Sequence, residues 1–420
     1  MTVTTYGIDF GTTNSAIAFM DTHRSIVVPV GKNGRKMIRS ELFFSRDDDA
    51  IYVGDAAFDE YLASEKWGRF IQSIKSVLPS RLFTSTRIGT TEYEAEDLIA
   101  LILEFLKKKA DGVTGRNVKK VVLGRPVTFA GDGNNEQLAE QRLRTAAEYA
   151  GFDEIAFQFE PIAAAMAYEQ TLASEKLVLV ADLGGGTSDF SLIRLGPKRK
   201  HLKNRAPDVL ATAGVGMAGD ALDSAIMSSN FRDYFGAHVQ YENWPGQWLS
   251  IPSSVFIDLC HKGRVIYLYN EGVQDQLRDI IRTADDPLAV SRLLRLVENN
   301  LGHQVYETIE SGKKELSNHD FTQIQFAKEG LELRLDLSRS QFNDIIHGTV
   351  SHIEHGVDAL LRSAGVAVSD IDTVYMTGGT SLVPRLQALM QTKFPFSALE
   401  ISEDSFLSVV NGLALCGPTR

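Results

Sequence analysis

Tyr6, Ile8 and Phe10 alternate with Gly7, Asp9 and Gly11, and apolar residues resume at Ala16, Ile17 and Phe19 after Thr12-Thr13-Asn14. A period of two marks a strand, and the Gly-Thr-Thr-Asn interruption leaves room for a sharp reversal, so a β-hairpin with Asp9 at its mouth is expected. Residues 177–193 repeat the plan: an apolar strand, Asp182, the turn Gly184-Gly185-Gly186-Thr187, and a second apolar strand. An internal repeat at this wide spacing predicts two like-folded lobes.

The remaining pattern supplies helices and strands around these two hairpins. Residues 26–53 read as short strands and turns, and 55–78 as helix, with Lys75 near its end before Pro79. Leu98, Leu101, Ile102, Phe105 and Leu106 form the apolar stripe of a helix over 92–110. A buried strand at 121–123, a glycine- and asparagine-rich loop at 131–135, a helix over 136–150 capped by Gly151 and a strand at 155–159 follow. That strand delivers Glu160-Pro161 to a helix over 162–172. Residues 197–203 form a basic surface loop, and 214–223 a glycine-rich loop running into a helix.

From 231 to 300 the periodicity is weakest; Trp244, Trp248, Ile251 and 255–259 read as local core, and 274–300 as helix. Leucines alternate with charged residues over 331–337, a half-exposed strand, and a helix over 340–364 carries His347, His352 and His355 as exposed side chains. Residues 371–381 form a strand ending in a third glycine turn, Gly378-Gly379, before a helix opened by Pro384, and the last helix lies near 406–415.

The chain has 420 residues, 44% of them hydrophobic, enough for two or three domains with sizeable cores. No apolar run reaches the roughly 20 residues of a membrane span, and the first strand begins too early for a signal peptide. Two cysteines, Cys260 and Cys416, fit a reducing compartment, so a cytoplasmic location is expected. The net charge of −11 argues against non-specific nucleic-acid binding.

Local chemistry then singles out positions. Gly11 allows close backbone approach to an anion, and turn N–H groups with the Thr12 and Thr13 hydroxyls can donate to phosphate oxygens. Asp9 can hold a divalent cation; with Asp182 on the facing hairpin, the pair would share one polyphosphate. Taken alone, Lys75 reads as a surface charge and Glu160 as a helix-start residue. The loop 214–223 could meet a ribose or phosphate, and the Gly378 turn could lie flat on an aromatic base.

Five ordered motifs, at 7–15, Glu160-Pro161, 182–189, 214–223 and 378–384, together resemble the nucleotide-binding portion of the DnaK-type heat-shock chaperones, within the actin, chaperone and sugar-kinase superfamily. The resemblance implies a two-lobed α/β actin-like ATPase fold with duplicated ribonuclease-H-like cores and a central nucleotide cleft. It assigns Asp9 and Asp182 to a water-mediated Mg2+ shell. Gly11, Thr12, Thr13, Asn14, Gly184, Gly185, Gly186 and Thr187 are assigned to phosphate, and Lys75 and Glu160 to the γ-phosphate and attacking water. Asp9, Asp182 and Thr187 join these two as catalytic. Gly216, Gly219, Asp220, Glu310, Lys313, Lys314 and Ser317 would grip the nucleoside, with Gly378, Gly379 and Ser381 on the base side.

The chain also departs from the family. Lys314 and Leu382 stand where two guanidinium planes usually clasp adenine, Ala218 and Asp220 replace a glycine and a glutamate, and Phe406 replaces an aspartate. Lobe I is expected over 1–175 (core 1–38 and 97–175, subdomain 39–96). Lobe II spans 176–395 (core 176–215 and 349–395, subdomain 216–348 with an insertion near 235–300). A helix within 396–420 is expected to pack back on lobe I, with no peptide-binding domain expected after it. The expected function is Mg-dependent ATP binding with slow hydrolysis, chaperone-like, with ATP or ADP bound and neither nucleic acid nor membrane as partner. The alternatives are a small-molecule kinase of the superfamily and an actin-like filament or nucleotide-switched scaffold.

Overall fold

A computed structural model describes residues 3–22, 24–64, 68–129, 135–202, 204–269, 271–402 and 404–416. The expected loop at 131–135 therefore lies, apart from Asn135, outside the described residues, as does Lys203 of the basic stretch. The chain divides into two compact units. One comprises residues up to Ala218, His352–Leu382 and those from Leu386 onward; the other is Gly219–Ser351 with Val383–Arg385.

Two mixed sheets of the same plan build the first unit. In one, the strands run in the order Glu154–Phe159, Lys120–Arg125, Thr5–Phe10, Asn14–Asp21, Arg24–Val27, with Ile38–Arg39 beside Asn14–Asp21. In the other the order is Ala398–Ile401, Thr373–Thr377, Lys176–Leu183, Ser188–Leu195, Val209–Val215. Each glycine-turn hairpin pairs its first strand in parallel with a later crossover strand and its second antiparallel with the next strand. The repeat seen in the sequence is thus a repeat of topology, and the α/β class holds. Val178 through Ala181 are all fully buried, the run expected of a central strand covered on both faces.

The helix Ser408–Leu415 lies against Glu160–Glu169 and against the strands Thr5–Phe10 and Asn14–Asp21. Two glycines permit that approach. A Cβ on Gly412 would collide with the Ala163 carbonyl, and one on Gly7 would stand 2.5 Å from the Ala414 nitrogen. Gly151, at φ +89°, closes the helix Glu136–Tyr149 as expected, with Phe152 N–H donating to Ala147 at 3.1 Å.

The expected helix over 55–78 is shorter, ending at Ala63. Gly68–Ile71 is instead a strand on Leu42–Ser45, and Lys75 sits on the 3-10 turn Ile74–Val77. Phe70 stacks on Tyr61 at 4.8 Å, and this tertiary pairing overrides the local helical pattern. The expected helix over 274–300 is two, Glu271–Ile281 and Pro287–Glu298, because Asp286 caps Ala289 N–H at 3.1 Å and Pro287 opens a new first turn. The helix over 340–364 likewise breaks at Ile346 into Arg339–Ile345 and His347–Ala364. Trp244 and Trp248 are not core: the hairpin Gln240–Trp244 and Gln247–Ser250 leaves them 70% and 51% exposed, whereas Ile251, Val255, Phe256 and Leu259 are buried.

In the second unit the helices Gly219–Asn230 and Gly302–Asn318 pack together, and the hairpin Phe321–Lys328 with Leu331–Ser338 covers the latter. Leu331, Leu333 and Leu337 are buried between exposed charged residues, the alternation that the sequence shows. No helix among the described residues is long and apolar enough to cross a membrane.

Candidate functional site

The two glycine turns of the first unit are built alike. Gly11 N–H donates to the Asn14 carbonyl and Gly184 N–H to the Thr187 carbonyl, each at 3.0 Å. Ser40 ties back the carbonyls of the first turn, its hydroxyl on Gly11 at 2.7 Å and its N–H on Thr13 at 2.9 Å. Thr380 does the same for the second, donating to the Gly184 carbonyl at 2.7 Å. The turns abut: a Cβ on Gly186 would lie 2.8 Å from Thr12 Oγ1. The third turn joins them through Gly378, at φ +79°, whose Cβ would stand 2.9 Å from Asp182 Oδ1. Ser381 donates to the Gly378 carbonyl at 2.6 Å, and the Phe406 ring lies against Gly379.

Lys75 and Glu160, separately ordinary in the sequence, meet here. The ammonium donates to Glu160 Oε1 at 2.7 Å, and both side chains are buried. Burial alone would depress the Lys75 ammonium, but Glu160 and Asp9 outweigh it and hold it above its usual range. Asp9 is pushed up to about 7 by burial and then by Glu160, with Lys75 opposing. Asp182 stands well above the ordinary carboxylate range through burial, Glu160, Asp189 and Asp9. Asp189 also rises to about 7, from burial and Glu160, although the Thr187 hydroxyl and Val127 N–H, the latter at 2.6 Å, bond to it.

Four carboxylates therefore share one field with Lys75, and Asp189 Oδ2 is buried without a hydrogen-bond partner. Crowded, buried carboxyls raised by burial and by one another, beside hydroxyl-bearing turns, suit a hydrated divalent cation with a polyphosphate, which would favour their ionised form.

Arg142, on the helix Glu136–Tyr149, fixes the segment following Lys75. One of its guanidinium nitrogens donates to the carbonyls of Val77 and Leu78 at 3.1 Å and Ser80 at 2.9 Å, and the other to Phe83 at 2.8 Å. Gly216 follows the strand Val209–Val215 of the second sheet, and the Ser188 hydroxyl donates to the nearby Met217 carbonyl at 2.7 Å.

In the second unit, Asp220, Glu310 and Lys313 come together around a residue not anticipated, Lys262. Its ammonium contacts Asp220 Oδ1 at 3.0 Å, Asp223 Oδ2 at 3.0 Å and Glu310 Oε2 at 2.7 Å. Lys313 reaches Asp223 Oδ1 at 2.7 Å and the Gly219 carbonyl at 3.0 Å. Lys314, mostly exposed, pairs with Glu310 Oε1 at 2.6 Å, while Ser317 is half-buried on the same helix. Sequence reasoning assigns no role to Asp189, Arg142 or Lys262. Asp189 had a signal, its place in the second hairpin opposite Asp182; the other two act on partners distant in the chain.

A family model described as Hsp70 protein matches residues 5–240 and 295–404. The Chaperone protein DnaK of Mycoplasmopsis agalactiae (strain NCTC 10123 / CIP 59.7 / PG2) is 27% identical over 388 residues, which is 92% of this chain and 54% of that protein. The chain thus spans about half the length of that relative.

Proposed function

The chain belongs to the Hsp70 family, and from that premise we propose that it binds ATP and ADP with Mg2+ and hydrolyses ATP slowly, as a chaperone-like nucleotide switch on the actin-like ATPase fold. The observation that carries this reading is the buried Lys75–Glu160 pair set among Asp9, Asp182 and Asp189, beside two abutting glycine turns.

Phosphoryl transfer asks a protein chiefly to position groups and neutralise charge. Thr12, Thr13 and Thr187, with the N–H groups of Thr12–Asn14 and of Gly185 and Gly186, bind the phosphates, while Gly11 and Gly184 close their own turns and let the backbone approach. Lys75 sets its positive charge against the terminal phosphate and steadies Glu160, whose carboxylate accepts a hydrogen bond from the attacking water and orients it. Asp9 and Asp182 would hold the metal. Mg2+, when bound, neutralises developing charge on the polyphosphate. Gly378, Gly379 and Ser381 form the base-side turn, and Gly216, Gly219, Asp220, Glu310, Lys313, Lys314 and Ser317 serve the nucleoside. Protein clients, co-chaperones and a cytoplasmic setting are part of the same proposal.

Release of phosphate and ADP from ATP, in buffer with Mg2+ and no added acceptor, tests it. Acceptor-independent turnover is expected. Turnover that appears only when a sugar or carboxylic acid is added would overturn the reading.

A further inference from the structure

Lys262 lies in the stretch 241–294 that the family model leaves unmatched, yet its charge is spent on residues of the matched part. Its side chain is only 10% exposed. Its backbone N–H is anchored too, donating to Ser224 Oγ at 3.2 Å. One ammonium thereby joins three carboxylates from two helices, Gly219–Asn230 and Gly302–Asn318. Burial would lower its pKa, but Asp220, Asp223 and Glu310 raise it well above the usual value, so Lys262 stays charged. Glu310 correspondingly falls well below the ordinary range: burial opposes the shift, and Lys262, Lys313 and Lys314 overcome it.

The three carboxylates differ in access. Asp223 is fully buried between Lys262 and Lys313, whereas the side chains of Asp220 and Glu310 are 20% and 22% exposed. These two therefore keep partial access to solvent while a shared cation fixes their positions, and the second Glu310 oxygen, Oε1, is paired only with the exposed Lys314 ammonium among the described residues. Two ionised acceptors held side by side suit a vicinal pair of hydroxyls, each donating one hydrogen bond. Without the shared ammonium, like charges would repel one another and the acceptors would swing apart.

We propose that Lys262 is a positioning residue that holds Asp220 and Glu310 as acceptors for the ribose hydroxyls of the nucleotide. The unmatched segment thus supplies a residue that orders the nucleoside-binding carboxylates of the second unit, an inference that rests on the nucleotide reading above.

Calorimetric affinities for ATP and for 2′,3′-dideoxy-ATP, both with Mg2+, test it. The wild-type chain is expected to prefer ATP by about tenfold, the worth of hydrogen bonds to charged acceptors, and Lys262→Met to reduce that preference to near one. Because this variant strands buried carboxylates, Lys262→Met/Asp223→Asn, which also removes the fully buried charge, is measured beside it with the same expectation. A residue that only braced the fold would weaken both ligands in proportion, so an unchanged preference in whichever variant folds overturns the proposal. A wild-type chain that binds both nucleotides equally overturns it as well while leaving the nucleotide reading intact. Failure to bind either nucleotide sinks both.

Discussion

Lys75 and Glu160 meet at 2.7 Å with both side chains buried, although one comes from a 3-10 turn and the other from a helix start in a distant part of the chain. A buried pair of this kind is costly to desolvate and costlier to break. Its placement among three further carboxylates makes it the natural object of the first test.

Lys75→Ala is expected to reduce acceptor-independent ATP hydrolysis by at least ~100-fold, the usual loss when one preorganised charge is removed. It should also lower stability by about 3–5 kcal/mol, since Glu160 is left unpaired. Lys75→Ala/Glu160→Gln should recover much of the stability and none of the turnover. Single-turnover phosphate release and denaturant melts separate the two effects; stability that drops without any loss of turnover would refute the assigned role.

Asp189 predicts a pH dependence. Its carboxyl titrates near 7 in the folded chain against 3.8 for the unperturbed group, so the folded state binds the extra proton between those values. Stability from this group is complete below pH 3.8 and is lost as pH rises through about 7. Asp189→Asn keeps a side-chain carbonyl for the Val127 N–H and removes the titration. Denaturation of the nucleotide-free chain across this range should therefore show a flatter fall in the variant. A slope identical to wild type would contradict the shift.

Arg142→Lys keeps the charge but loses the fork that gathers the carbonyls of Val77, Leu78, Ser80 and Phe83. The expected result is a roughly tenfold to hundredfold lower kcat, as small misplacements of a reacting group produce, with KM for ATP little changed. Faster amide exchange over residues 77–83 should accompany it. An equal fall in nucleotide affinity would point to general destabilisation instead.

Gly412→Ala places a methyl group where the Ala163 carbonyl already sits. Overpacking of this sort costs about 1–3 kcal/mol, and the melting temperature should fall accordingly. Because Ala163 shares its helix with Glu160, turnover should fall as well, by more than the unfolded fraction accounts for.

The glycine turns were legible because their chemistry is local. Asp9 and Asp182 announce themselves through flanking alternation and turn residues, and the matching sheet orders follow from that repeat. What the sequence hid depends on distant partners. Residues 68–71 look helical until Phe70 finds Tyr61 and the strand finds Leu42–Ser45. Lys75 reads as a surface charge until Glu160 is placed beside it. Lys262 has no local signature, since its three partners come from elsewhere in the second unit.

The seat of the helix Ser408–Leu415 against Thr5–Phe10 and Asn14–Asp21 bears on biosynthesis. A ribosome delivers those strands before their covering helix, so during translation the face that it covers waits in water. A pairing of such long sequence separation is also slow to form after release. Nascent copies stalled before this helix should thus aggregate or recruit holdases, whereas copies stalled beyond it should resist protease.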